Sequence, residues 1–182
     1  MRRPTLTLLL TTAALCGASA LAAVLEDAAS PAGQSVATIF TGQFTDVDAG
    51  SSFAGIAVLG NTATAGSQGV WQYSTNAGTT WANIGTVNPV AALAVSAASL
   101  VRFLPVANFN GAPAALSVRG LDNTYAGAFS ATAGSESRVT VSTATSGGTT
   151  AIASAVASLS TTITAVNDPP QATNLNAAES CT

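Results

Sequence analysis

The chain has 182 residues, of which 48% are hydrophobic, 7% charged and 5% aromatic, and it contains neither histidine nor lysine. With five arginines against eight acids there is no basic face to neutralise a run of phosphates, which excludes nucleic-acid binding. Histidine-based triads and zinc sites are excluded too, because the two cysteines lie one near each end. Valine (15) and threonine (25) favour strands, and the 39 alanines leave few large side chains for a core.

The N-terminus reads as a secretory signal over residues 1–23. Arg2 and Arg3 form a positive start, an apolar run covers 6–15, and Ala18-Ser19-Ala20 and Ala20-Leu21-Ala22 both offer the small-x-small pattern of a peptidase site. The bulky Leu15 before Cys16 argues against a lipoprotein site. Removal of the signal takes away two arginines, moves the formal charge from −3 to −5, and leaves Cys181 without a cysteine partner. The domain is then expected over 24–168, with 169–182 forming a linker and the opening of a following repeat.

From Val24 onward, short alternating runs are separated by Gly, Asn, Asp and Pro. Strands are expected at 35–41, 53–61, 69–75, 80–86, 100–105, 113–121 and 158–166, with a weaker run at 91–95. Trp71 and Tyr73 share one face, as do Val101 with Phe103, Leu116 with Val118 and Leu159 with Ile163. No segment carries a sustained, capped helical pattern. The expected fold is therefore all-β, an antiparallel Greek-key β-sandwich. Residues 126–157, rich in Ala, Ser, Thr and Gly, read as a long ribbon inserted into it.

Residues 71–81 form a hairpin with turn residues at its tip. Its Ser74-x-Asn76-x-Gly78-x-Thr80-Trp81 core resembles the Asp-box hairpin of sialidases, with asparagine in place of aspartate. That motif stabilises a turn, and a propeller would need several copies where this chain has one.

Eight acids can be placed individually: Glu26, Asp27, Asp46, Asp48, Asp122, Glu136, Asp168 and Glu179. Asp46 and Asp48 occupy a turn where their carboxylates can converge. Close like charges need a compensating cation, for which calcium is the natural candidate, or they are ordinary hydrated turn acids. The spacing leaves both readings open. It is no EF-hand, because Ala57 stands where the bidentate glutamate belongs.

The tail Thr161-Thr-Ile-Thr-Ala-Val-Asn-Asp-Pro-Pro170 resembles the end of a cadherin-like (immunoglobulin-like) tandem repeat of large bacterial surface adhesins, in which an Asn-Asp-x-Pro linker joins repeats. The resemblance extends over 24–170, through Leu25-Glu26-Asp27, Phe44-Thr-Asp-Val-Asp-Ala-Gly50, Gly69-Val-Trp-Gln-Tyr-Ser-Thr75, Leu100-Val-Arg-Phe-Leu-Pro105 and Asn108-Phe-Asn-Gly111. It implies calcium at each junction between repeats. Glu26, Asn167 (through a carbonyl oxygen) and Asp168 would be ligands at the C-terminal pole, and Asp46, Asp48 and Asp122 at the opposite pole. The second glutamate motif of animal cadherin repeats has no counterpart, which implies fewer or weaker ions.

The expected function is thus a non-enzymatic, calcium-binding structural or adhesive repeat of a secreted or cell-surface adhesin. Its partners would be neighbouring repeats, with other cells or surface glycans as targets. A carbohydrate-binding β-sandwich module, stacking sugars on exposed Trp71, Tyr73 or Trp81, is the competing expectation. Hydrolysis has little to work with: serine has no histidine or lysine base, and Asp46 and Asp48 lie too close in sequence to flank a scissile bond.

Overall fold

A computed structural model describes residues 13–15, 17–46 and 50–169. Arg2, Arg3, Cys16, Asp48 and the start of a following repeat in 170–182, with Glu179 and Cys181, lie outside the described residues.

In chain order the strands are β1 (Ala14–Leu15), β2 (Ala18–Ala20), β3 (Val24–Leu25), β4 (Gln34–Ser35), β5 (Phe44–Thr45), β6 (Phe53–Asn61) and β7 (Gly69–Ser74). They continue as β8 (Ala82–Asn83), β9 (Ala92–Ser96), β10 (Leu100–Pro105), β11 (Leu116–Asp122), β12 (Thr140–Val141), β13 (Ala157–Ser160) and β14 (Ile163–Thr164). The described residues are all-β, with a single helical turn among them, α1 (Val36–Ile39), between β4 and β5.

Two larger sheets carry the fold. One has four strands in the order β4-β10-β7-β8, the other six in the order β12-β9-β6-β11-β13-β2. Their alternating side chains meet in one core: Trp71, Tyr73, Val101 and Phe103 from the first, Ile56, Val58, Leu116 and Val118 from the second, all without exposed surface. Trp71 packs edge-on against Phe103 at 5.2 Å and donates its indole N–H to the Ala114 carbonyl. Burial of the large ring therefore leaves no polar atom unpaired.

The expected strands 53–61 and 100–105 match β6 and β10 residue for residue. The expected strand 35–41 is corrected. Ser35 accepts the Thr38 N–H as a helix N-cap, and the chain turns through α1 so that Val36 and Ile39 are buried together. Residues 80–86 shrink to the two-residue β8, and 158–166 divides into β13 and β14.

Ribbon residues 126–157 cover the outer face of the six-stranded sheet. Ala57, Ala92, Ala94 and Leu121 point away from the main core and pack with Ile152, Tyr125, Phe129, Val139 and Val141. Only small side chains permit this close approach. A Cβ on Gly55 would lie 2.3 Å from the Val95 carbonyl oxygen and 2.9 Å from the Phe129 ring. Polar anchors hold the ribbon down: Thr132 Oγ1 accepts the Thr75 N–H, and the buried Tyr73 donates to Glu136 Oε1 at 2.9 Å. Glu136 in turn pairs with Arg138 at 3.5 Å.

Residues 13–15 and 17–22, within the segment expected as a signal, occupy positions in this architecture. β2 pairs in parallel with β13 at the edge of the six-stranded sheet, and β3 pairs in parallel with β14. Leu15 has no exposed surface and Leu21 keeps 8%. Among the described residues no helix is long and apolar enough to cross a membrane.

Candidate metal centre

Strand register sets where the acids lie. β11 runs from Leu116, opposite Leu159, to Asp122, opposite Phe53. Asp122 therefore sits at the end of the sheet where β6 begins, beside residues 50–52. Asn123 ties Ser52 down, accepting its N–H at 2.9 Å. The chain after β13 emerges at the other end, and β14 carries it towards Asp168. Glu26 and Asp168 thus lie at one pole, and Asp46 and Asp122 at the other.

At the first pole, β3 ends on Leu25 and the chain turns through Glu26 and Asp27. Because β3 lies parallel to β14, both strands deliver their following residues to the same place. Glu26, Asp27 and Asp168 each bring one carboxylate oxygen within 4.8 Å of the other two. Glu26 is buried, while Asp27 and Asp168 are exposed. Glu26 is also fixed: Oε1 accepts the Val166 N–H at 2.6 Å and Oε2 accepts the Asn110 side-chain amide at 3.1 Å.

Electrostatics follow from this crowding. The Asp168 carboxyl is held above the ordinary aspartate range, first by partial loss of hydration, then by the charges of Asp27 and Glu26, with a hydrogen bond to Asp27 adding. The donor set suits a hard cation. Calcium–oxygen distances of about 2.3–2.6 Å place two ligands of one ion at most about 5 Å apart, a limit the cluster meets. Glu26, Asp27 and Asp168 are the residues that could hold such an ion.

The remaining candidates are placed differently. Asn167 is exposed, between Val166, whose N–H is taken by Glu26, and Asp168. Asp122 is buried, and its carboxylate accepts the N–H (2.7 Å) and the hydroxyl of Thr124, closing a turn. Asp46 is half-buried. Among the described residues Asp46 and Asp122 belong to no three-acid group, and Asp48 lies outside the described residues. The sequence reading left Asp27 out of the ligand set, although it adjoins Glu26. It also left Asn110 unassigned within the quoted Asn108-Phe-Asn-Gly111 segment.

The aromatics named for sugar stacking are largely enclosed. Trp71 and Tyr73 have no exposed surface. Trp81 is half-buried, and the Arg102 guanidinium lies over its ring at 4.0 Å. Arg102 itself is held by Gln72, Ser30 and the Pro31 carbonyl. The hairpin tip is a closed network in which Ser74 Oγ accepts the Gly78 N–H and Asn76 Oδ1 accepts the Thr80 N–H.

Comparison of the chain with protein-family profiles, with curated proteins and with solved structures gives no match, so the residues and their geometry alone carry the functional reading.

Proposed function

We propose that this chain is a cadherin-like Greek-key β-sandwich repeat of a secreted or cell-surface adhesin, non-enzymatic, in which calcium stiffens the junction to the next repeat. The observation that carries the reading is the convergence of Glu26, Asp27 and Asp168 within 4.8 Å. They come from two segments that parallel pairing of β3 and β14 brings side by side. An ion there would offset the repulsion among three carboxylates and bind the linker at Asp168 to the end of β3 at Glu26. Neighbouring repeats would be its immediate partners.

Protonation provides a signature. Because the Asp168 carboxyl is raised, its charge is resisted in the calcium-free fold, so calcium-free stability falls as pH rises through its titration. Calcium should displace that proton, and its effect should grow from acid towards neutral pH. The test is thermal unfolding of the chain in calcium and in chelator. Calcium at ten times its dissociation constant adds about 1.4 kcal/mol, a rise of about 3–6 °C for a chain of this size. Melting curves that superimpose in millimolar calcium and in chelator, at both acid and neutral pH, would sink the proposal.

A further inference from the structure

Residues 13–22 carry two conflicting signals. Their sequence offers peptidase-like small-x-small patterns, whereas in the fold β1 pairs with β5 and β2 forms the edge strand of the six-stranded sheet. Ala13, Leu15, Ser19 and Leu21 are buried, and the intervening Gly17, Ala18 and Ala20 are exposed. Exposed and buried residues alternate over Ala18–Leu21 as a strand lying on a core requires, and Ala13 and Leu15 are buried before the bend at Gly17, which a segment bound for removal does not need. β1 pairs with β5, placing Leu15 beside Gly120, where an added Cβ would meet the Leu15 Cβ at 3.3 Å.

The backbone of the segment is satisfied by distant parts of the chain. Leu21 N–H donates to Ser160 O at 2.9 Å, and Ala22 N–H to the Gln34 side chain at 2.8 Å. The Ala13 carbonyl accepts Ser154 N–H, and the Ala22 carbonyl accepts the Thr161 hydroxyl. On both sides of the expected cleavage points the chain stays paired to the same C-terminal segment, β2 with β13 and, after a break at Ala22 and Ala23, Val24 N–H to Thr162 O and Glu26 N–H to Thr164 O. A cut after Ala20 or Ala22 would strip β2 from the outer edge of β13 and empty the buried position of Leu15, and the cut after Ala22 would empty that of Leu21 as well.

We infer that the stretch from Ala13 to Ala23 is retained in the folded protein, with β1 and β2 as its first two strands, and that neither small-x-small sequence is a processing site in it. The inference does not depend on calcium. It is tested on the full chain made in a secretion-competent bacterium, by intact mass and N-terminal sequencing of the folded, monomeric fraction. Residues 13–23 are expected to be present; a cooperatively folding species that begins at Leu21 or Ala23 overturns the inference.

Variants provide a second readout. Leu15→Asp places a charge at a fully buried position and should lower the melting temperature by more than about 5 °C. Ala18→Asp, on the exposed face of β2, should shift it by no more than about 1 °C. If Leu15→Asp does not fold, Leu15→Ala should melt between it and the parent. Identical melting of Leu15→Asp, Ala18→Asp and the parent overturns the inference.

Discussion

Replacing Glu26 separates its two roles, as an anchor of the linker and as a ligand. In Glu26→Ala the Val166 N–H and the Asn110 amide lose their acceptor. Each hydrogen bond to a charged group is worth roughly 1.5–3 kcal/mol, and relief of repulsion from Asp27 and Asp168 offsets part of the loss, leaving about 2–4 kcal/mol. For a chain of this length that corresponds to a fall of about 5–15 °C in calcium-free buffer. Glu26→Gln behaves differently. Its amide oxygen keeps the Val166 bond, and Asn110 can rotate its own amide to accept from the new NH2 group. Calcium-free stability should therefore stay within about 1 kcal/mol of the parent, while the lost carboxylate weakens calcium about tenfold or more. Scanning calorimetry in chelator and a calcium titration measure the two effects independently. A Glu26→Ala variant that melts with the parent in chelator would refute the anchoring argument. A Glu26→Gln variant with undiminished calcium affinity would refute the ligand argument.

Two further perturbations probe how the ribbon is held. The Tyr73 phenol is pushed up to about 12, chiefly by burial and then by the hydrogen bond and charge of Glu136, so its contribution is intact below the unfolded value near 10 and is lost as pH rises towards 12. Tyr73→Phe should cost about 1–2 kcal/mol at neutral pH; if the parent shows no extra alkaline loss over the variant in denaturant titrations, the phenol is not enclosed as described. Gly55→Ala, whose Cβ would press on the Val95 carbonyl and Phe129, should cost at least about 1–3 kcal/mol by overpacking. Gly66→Ala, with open space around it, should be nearly neutral, and equal melting of the two glycine variants would contradict the close cover.

Strands with branched or aromatic residues on alternate positions were legible because one feature, burial on one face, decides both sequence and structure. β6 and β10 are of this kind. α1 was not, because Val36, Thr38 and Ile39 favour extended chain and only the Ser35 cap and the shared burial of Val36 and Ile39 oppose that preference. The acids Glu26 and Asp168 could be named from the resemblance, but bringing them together depends on the register of β3 with β14, which no local pattern encodes. Asp27 enters through the same pairing, and Asn110 through the neighbouring bridge of Gly111 to Ile163. The ribbon's small residues specify little locally; Ala57, Ala92 and Ala94 acquire meaning only once a layer lies over them. Before Val24 two signals overlapped, and the peptidase pattern masked the buried positions of Leu15 in β1 and of Ser19 and Leu21 around β2.

The parallel pairing of β2 with β13 and of β3 with β14 has a mechanical consequence. β1 lies beside Phe44–Thr45, next to Asp46 at one pole, and the chain leaves β14 for Asp168 at the other. A pull between the two ends therefore drags β2 and β3 one way and β13 and β14 the other, along the length of their ladder. The hydrogen bonds from Leu21, Val24 and Glu26 to Ser160, Thr162 and Thr164 are loaded in shear and share the force, where a pair pulled from one end would open bond by bond. Rupture under such tension is governed by the unfolding rate, so the same strand that aims Glu26 would set how much load the protein carries before it yields.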